Sequence, residues 1–240
     1  MKFSDTTLQH LKGTAFSTGT DVGFVWEDSD RVYRSRYDVL AELARGKRVI
    51  HLGCVDHDAS EVERKRAKGK WLHDVLTASA GTCLGVDISR PGIDYLHSIG
   101  VRNALCADIT APPTELSGVH WDWILVPEVL EHIGDPVAFL RGIHAAFRHN
   151  TGGIVLTVPN AFCQENIRLA YRNREVINTD HRFWFTPFTL AKVVTDAGFR
   201  IEQVHLCKVG LVNRYSVLRN WYFGRKPLLR NGITLVARFT

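Results

Sequence analysis

Short apolar segments recur along the chain at regular intervals from residue 48 onward. They are Arg48 to Leu52, Cys83 to Val86, Asn103 to Cys106, Trp123 to Val126, Ile154 to Val158, Ile201 to Leu206 and Ile233 to Phe239. The first five are almost continuously apolar rather than alternating, which is typical of strands buried on both faces of a parallel sheet.

Segments with helical spacing of apolar residues precede the first strand and separate several of the others. They are Tyr33 to Ala44, Glu61 to Ala80, Pro91 to Ile99, Pro136 to Arg148 and Pro187 to Ala197. Several of them begin with proline, which favours the first turn of a helix. The alternation of strands and helices predicts an α/β fold with a doubly wound, mostly parallel seven-stranded sheet and helices on both faces.

The length of 240 residues fits one large domain, which we place at residues 33–240 after a polar N-terminal segment at residues 1–32. Two stretches within the domain connect predicted elements without forming part of the sheet. Residues 160–186 are expected to be a lid over a binding site. Residues 208–231 form a basic and aromatic insertion that could be a second lid, a homodimer surface or a membrane-touching edge.

The composition, with 45% hydrophobic and 23% charged residues, predicts a buried core and excludes a disordered chain. No segment has the roughly 18 consecutive apolar residues of a membrane span, and a cytoplasmic location is expected. The net charge of +5 is scattered along the chain, which disfavours a nucleic-acid partner. The five cysteines are an odd number, show no CxxC spacing and mostly lie inside apolar segments, so we expect reduced thiols in the core.

Candidate ligand-binding residues follow the predicted strands, because ligands of open parallel sheets bind beyond the carboxyl ends of the strands. Gly53 follows the first strand and would let a ligand approach the backbone closely. Asp87 follows the second strand, where a carboxylate can accept two hydrogen bonds from a ribose diol. Asp108 follows the third strand and could contact an adenine amino group, and Pro127 ends the fourth.

The turn after the fourth strand carries a second group of candidates. Glu128, Glu131 and His132 are spaced i, i+3 and i+4, which predicts that they share one face of a helical turn. Two carboxylates and an imidazole could hold a divalent cation there. His181, in the sequence Asp180-His181-Arg182-Phe183, is a further candidate ligand.

The order of these features over Arg48 to Phe199 resembles the class I S-adenosylmethionine-dependent methyltransferases, including the ubiquinone-pathway O-methyltransferases. The resemblance implies S-adenosylmethionine as cofactor, bound by Gly53, Cys54, Val55, Asp56, His73, Asp87, Ile88, Asp108, Ile109 and Pro127. The first loop departs from the usual pattern, since His51 stands at the acidic position and Val55 and His57 replace glycines.

That unusual loop, His51-Leu52-Gly53-Cys54-Val55-Asp56-His57, and the later pair Leu72-His73 are similar to a subset of bacterial methyltransferases often encoded with saccharide-modifying enzymes. This similarity implies that Asp56, His57 and His73 help to hold the cofactor. A surface loop with incidental histidines remains the alternative.

The pairing of E-x-x-E-H with a later Asp-His-x-Phe resembles the metal-dependent small-RNA 2′-O-methyltransferases. It implies that Glu128, Glu131, His132 and His181 bind Mg²⁺ or a similar ion that lowers the pKa of a substrate hydroxyl. Related methyltransferases without a metal have the same Leu-Glu-His sequence. In that case His132 or His181 would act as the general base. With or without a metal, the predicted catalytic residues are His132, His181 and Glu128.

The leading hypothesis is O-methylation of a saccharide hydroxyl. An aromatic or catechol hydroxyl is the alternative acceptor, favoured by Phe183-Trp184-Phe185, and a non-catalytic S-adenosyl ligand-binding module is the alternative of another class. A nicotinamide dehydrogenase is disfavoured. Such an enzyme needs a G-x-G-x-x-G loop to seat a pyrophosphate, and this chain has only Gly53 of the three glycines.

Overall fold

The structure is a computed structural model that describes residues 1–56 and 59–240. The strands are β1 (Lys2–Phe3), β2 (Phe24–Val25), β3 (Arg48–Leu52), β4 (Thr82–Asp87), β5 (Ala104–Cys106), β6 (Trp121–Pro127), β7 (Thr151–Pro159), β8 (Phe199–Cys207) and β9 (Gly232–Phe239). The helices are α1 (Asp5–Leu11), α2 (Arg36–Ala44), α3 (Ala59–Ala67), α4 (Leu72–Ser79), α5 (Arg90–Ser98), α6 (Thr114–Ser117), α7 (Pro136–Phe147), α8 (Gln164–Ala170), α9 (Pro187–Asp196) and α10 (Val217–Arg225). None of the helices in this described part is both long and apolar enough to cross a membrane.

The seven strands β3 to β9 form one sheet in the order β5-β4-β3-β6-β7-β9-β8. Neighbours among β3 to β7 pair in parallel, whereas β9 runs antiparallel to both β7 and β8. This arrangement confirms the predicted doubly wound sheet. The strand order reverses between β3 and β6, so the crevice beyond their carboxyl ends is the place where this fold binds ligands.

Alternate residues of each central strand enter two different cores, one on each face of the sheet. In β6, Ile124 and Val126 pack in the core shared with α7 and α9. Trp123 and Leu125 pack on the opposite face with residues of α2 and α4. Burial on both faces explains why the sequence of this strand is continuously apolar.

The helix predicted over Glu61 to Ala80 is wrong in one respect, because the structure has two helices there. Gly69 adopts a φ of 60°, a left-handed conformation that favours glycine and ends α3. Trp71 then lies buried at the start of α4, where its Nε1 donates a hydrogen bond to the carbonyl of Cys54. The break therefore connects α4 to the loop that follows β3.

The N-terminal segment packs on the far edge of the sheet. The amino group of Met1 donates hydrogen bonds to Asp30 Oδ1 at 2.7 Å and to the carbonyl of Val204 at 2.8 Å. Met1 and Leu11 are buried in the same core as α7 and α9. Residues 1–32 thus contact β8 closely, and the boundary at residue 32 stays a prediction.

Candidate active site

A cavity of about 480 Å³ opens at the carboxyl ends of the central parallel strands. Side chains from three loops that follow β3, β4 and β6, together with a later segment at residues 178–181, line it. Its lining includes His51, Gly53, Asp56, Asp87, Ile88, Pro127, Glu128, Glu131, His132, Asn178, Asp180 and His181. Residues from the predicted cofactor site and the predicted metal site therefore share one cavity.

The carboxylate of Asp87 connects two of these loops. Its Oδ2 accepts a hydrogen bond from the backbone N–H of Val55 at 3.1 Å, and its Oδ1 accepts one from Ser89 at 2.9 Å. A carboxylate has about four lone-pair positions, so each oxygen can accept one more donor. Asp87 lines the cavity, and its remaining acceptor positions fit the two hydroxyls of a ribose, which would donate to them.

Gly53 and Ile88 complete the part of the cavity that fits an adenosyl group. Gly53 has a φ of 73°, and a Cβ atom there would lie 2.9 Å from Cγ2 of Val129. Only glycine therefore suits the close approach of the two loops. Ile88 leaves 78% of its surface exposed beside Asp87 and offers an apolar face to a planar ring.

The other residues of the first loop have different surroundings. Cys54 and Val55 are buried beneath the loop and do not line the cavity, and burial raises the pKa of the Cys54 thiol. Asp56 has a φ of 59° and pairs with Lys65 at 2.7 Å, and both line the cavity. His57 lies outside the described residues. Cofactor contacts from these residues stay predictions.

His51 and His73 form a buried pair below the loop. Their rings stack with centroids 5.3 Å apart, and the two Nδ1 atoms are 3.1 Å apart. Of the two Nδ1 atoms, one must donate and the other must accept, so a single hydrogen lies between them. Burial lowers the pKa of both imidazoles, which keeps them neutral. His51 lines the cavity and His73 supports it from behind.

Asp108 and Ile109 lie apart from the cavity lining. The Asp108 carboxylate is exposed and accepts hydrogen bonds from the backbone and hydroxyl of Thr110, which lower its pKa. Ile109 is buried in the core on the α7 side of the sheet. Their predicted contacts with adenine remain predictions.

The expectation that Glu128 shares a helical face with Glu131 and His132 is wrong. Glu128 has a φ of 53°, and a turn of 3-10 helix covers only Leu130–His132. This left-handed backbone conformation gives the Glu128 side chain a different direction from the one a helix would give it. Its Oε1 accepts a hydrogen bond from Thr157 Oγ1 at 3.0 Å and lies 3.1 Å from Nη1 of Arg36.

Glu131, His132 and His181, called the metal triad below, do converge. One ligand atom from each lies within 4.8 Å of the others. Oε1 of Glu131 is 4.0 Å from Nε2 of His181, and the two imidazole rings meet edge to face at 4.7 Å. The backbone N–H of Arg182 donates to the carbonyl of Glu131 at 2.8 Å, which holds the two segments together.

The electrostatics of Glu131 favour a cation at this position. Its side chain is completely buried, and neither carboxylate oxygen has a hydrogen-bond partner among the described residues. Burial, and secondarily the negative charge of Glu128, raise the pKa of Glu131 to about 8. A buried carboxylate without a donor is costly, and a bound cation would compensate it.

A family model described as a methyltransferase domain matches residues 25–204, which include the whole cavity apart from Val209. The chain belongs to this methyltransferase family. The family match and the fold together identify it as a class I S-adenosylmethionine-dependent methyltransferase, as the sequence resemblance predicts.

Individual proteins with similar sequence or structure agree with this assignment. A ubiquinone biosynthesis O-methyltransferase of Dinoroseobacter shibae is 24% identical over 204 residues, covering 81% of this chain and 74% of that protein. Magnesium protoporphyrin IX methyltransferase of Synechocystis PCC 6803, solved with bound S-adenosylhomocysteine, has a TM-score of 0.51 at 15% identity and covers 98% and 94% of the two chains. Small RNA methyltransferase HEN1 has a TM-score of 0.55 at 16% identity, covering 93% of this chain and 27% of that one. These structural similarities establish the fold.

The sequence interpretation missed several cavity residues of the methyltransferase, among them Arg36, Lys65 and Lys70. Arg36 begins α2 before the first strand of the main sheet, yet its guanidinium lies in the cavity beside Glu128. The backbone explains its position, because the N–H of Arg36 donates to the carbonyl of Lys208 just after β8. No local motif marks this arginine, and only the pairing of two distant segments brings it to the site.

Proposed function

We propose that this methyltransferase transfers the methyl group of S-adenosylmethionine to a saccharide hydroxyl with the assistance of a divalent cation. The observation that supports the proposal is the convergence of the metal triad in the same cavity as Asp87. A cofactor-binding carboxylate and a cation site in one cavity would bring methyl donor and acceptor together.

Each part of the cofactor has a complementary group in the cavity. Asp87 would accept hydrogen bonds from the ribose hydroxyls, and Ile88 would pack against the adenine. The cationic side chains of Arg36, Lys65 and Lys70 line the same cavity and suit the carboxylate of the methionyl group. The cofactor supplies a sulfonium-bound methyl group that an oxygen nucleophile can attack.

In this proposal Glu131, His132 and His181 hold the cation. Such an ion, when bound, lowers the pKa of a coordinated hydroxyl and orients it. Glu128 has a different function from the other three, because Arg36 and Thr157 already hold its carboxylate. Its charge adjoins Glu131 and raises the pKa of that residue, so we place Glu128 in the catalytic group as an electrostatic neighbour of the ion.

His132 would serve either as a ligand of the cation or as the base that accepts the proton of the acceptor hydroxyl. Its Nδ1 lies 3.0 Å from Oδ2 of Asp180, an arrangement that fixes the tautomer with hydrogen on Nδ1. An imidazole held in this way presents Nε2 as a metal ligand or as a base. With a cation bound, Nε2 of His132 would be a ligand and the ion would acidify the hydroxyl, whereas without a cation Nε2 would be the base.

The lining of the cavity favours a polar acceptor. Among its lining residues in the described part of the chain, Tyr37 is the one aromatic side chain besides the histidines, whereas Arg36, Lys65, Lys70, Asn178 and Asp180 are charged or polar. Hydroxyl-rich ligands suit such a surface. The Phe183-Trp184-Phe185 segment that favours an aromatic acceptor lies outside the lining, and Phe185 is buried in the core.

A catechol is the second candidate, because the matched D. shibae protein is named as a ubiquinone biosynthesis O-methyltransferase. Both candidates offer adjacent hydroxyls that one cation can contact. The two are separated by incubating the purified protein with methyl-labelled S-adenosylmethionine and matched panels of saccharides and catechols. Methyl label on saccharides supports the leading proposal, whereas label only on catechols would show that the acceptor is a catechol. If the protein fails to bind S-adenosylhomocysteine in calorimetry, both candidate activities are contradicted.

A further inference from the structure

The insertion at residues 208–231 contains a helix whose outer side is apolar and exposed. In α10, Val217 is 71% exposed, Leu218 84% and Trp221 56%, and the preceding Tyr215 is 94% exposed. Val217, Leu218 and Trp221 lie at i, i+1 and i+4, so they share one side of the helix. We call these residues and Tyr215 the α10 outer face. Exposed apolar groups clustered in this way indicate an interaction surface.

The inner side of the same helix is fixed to the domain. Phe223 stacks on Tyr33 with ring centroids 4.8 Å apart. Gly224 packs so closely that a Cβ atom would lie 2.6 Å from the carbonyl oxygen of Arg31. Because these contacts anchor the inner side, α10 cannot rotate to bury its outer face without losing them.

Every charged residue of the insertion is basic. Residues 208–231 contain no aspartate or glutamate, and their charged residues are Lys208, Arg214, Arg219, Arg225, Lys226 and Arg230. Arg225 lies over the ring of Trp221 at 4.1 Å, which places a cation directly on the apolar face. This combination of one charge sign with aromatic and aliphatic groups matches the boundary between anionic headgroups and acyl chains.

A groove beside α10 extends the same chemistry. It has a volume of about 930 Å³, and its lining includes Trp26 and Trp221 together with Arg31, Arg225 and Lys226. Among the described lining residues the one carboxylate is Asp30, which is buried and paired with the amino group of Met1. Tryptophan is the side chain that most favours the headgroup region of a bilayer. The three cations around the groove would contact phosphate groups of lipids.

We infer that the α10 outer face and the adjoining groove dock the methyltransferase on an anionic lipid bilayer. Val217, Leu218 and Trp221 enter the boundary of the acyl region, and the arginines and Lys226 contact the phosphates. The aliphatic pair Val217 and Leu218 favours a bilayer over a nucleic acid, which offers stacking and phosphate contacts but no hydrocarbon layer. The same insertion reaches the active site, because Val209 lines the cavity.

The test is co-sedimentation of the purified protein with vesicles of phosphatidylcholine alone or of equimolar phosphatidylcholine and phosphatidylglycerol. The protein is expected to sediment with the anionic vesicles, less at raised salt, and not with the neutral ones. In R214Q/R225Q/K226Q the affinity should fall about a hundredfold, since three basic side chains near the surface are lost. The control K12Q/R45Q/R102Q removes the same charge elsewhere and should bind as the unmodified protein does.

The apolar contribution is tested with L218S/W221S, for which F16S/Y171S is the matched control because both pairs remove two exposed large apolar side chains. Binding should fall at least tenfold in the first pair and stay unchanged in the second. Unaltered S-adenosylhomocysteine affinity in L218S/W221S shows that it is folded. Equal loss in both pairs, equal binding to neutral vesicles, or absence of binding by the unmodified protein would each overturn the inference.

Discussion

Oε1 of Glu131 lies 4.0 Å from Nε2 of His181, although 50 residues of chain separate the two. The contact joins the turn after β6 to the segment before α9, and the hydrogen bond from Arg182 to the carbonyl of Glu131 holds it. A buried carboxylate without a hydrogen-bond partner among the described residues costs stability, so its place beside an imidazole in a methyltransferase cavity indicates a chemical role.

Stability of the metal-free protein should fall as the pH rises, because of Glu131. Its pKa is about 8 in the folded state, above the ordinary value of 4.5, so between these values the folded state binds more protons than the unfolded state. The free energy of unfolding contributed by this group therefore decreases from about pH 4.5 to about pH 8. Urea unfolding in EDTA at pH 5.5 and 8.5 should show this loss in the unmodified protein and a smaller one in Glu131→Gln. An equal pH dependence in both proteins would refute the assignment.

Divalent cations should stabilise the protein through the metal triad. Adding Mn²⁺ is expected to raise the melting temperature, since an ion that binds only the folded state adds to its stability. Glu131→Gln and His181→Ala should each weaken Mn²⁺ binding by about tenfold or more, as loss of even an outer-shell group costs that much. The exposed His149→Ala serves as the control. Identical Mn²⁺ titrations for all four proteins would exclude the site.

Asp87 should affect cofactor affinity more strongly than Asp108. In Asp87→Asn, one oxygen becomes an amide donor facing the N–H of Val55 or Ser89, and a ribose contact is lost. We expect the S-adenosylhomocysteine Kd to rise about tenfold or more, equivalent to about 1.4 kcal/mol. Asp108→Asn should change it less than threefold, because Asp108 does not line the cavity. Calorimetry measures both, and the reverse order of effects would contradict the site.

Arg230 should be essential for the stability of the insertion. Its guanidinium donates hydrogen bonds to the carbonyls of Phe223, Leu206 and Asp30, and its side chain is buried. Arg230→Met leaves these three acceptors without their donor, which should cost about 3 kcal/mol or more. Arg225→Met, on the exposed side of α10, should cost less than about 0.5 kcal/mol. Chemical denaturation of both variants provides the comparison.

The sequence predicts the sheet well because its signal is local. Arg48–Leu52 matches its predicted bounds, and the other six strands of the main sheet contain the predicted apolar segments or overlap them closely. A strand buried on both faces must be apolar throughout, so a continuous apolar segment in the sequence predicts such a strand directly. The class of cofactor followed from the resemblance to class I methyltransferases, which rests on the residues at the ends of those strands.

The errors arose where backbone conformation or distant pairing decides the position of a side chain. The left-handed conformation at Glu128 separates it from Glu131, and spacing alone cannot show this. The left-handed Gly69 likewise divides one predicted helix into two. Arg36 was missed because its place in the cavity depends on pairing with residue 208, more than 170 residues later in the chain.

The most direct test of the proposed chemistry is methyl transfer to a saccharide with adjacent hydroxyls, measured before and after excess EDTA. Chelation should abolish most turnover, Mg²⁺ or Mn²⁺ should restore it, and Glu131→Gln should not respond to either ion. Unchanged turnover of the unmodified protein in excess EDTA would contradict the account and assign deprotonation to His132 alone.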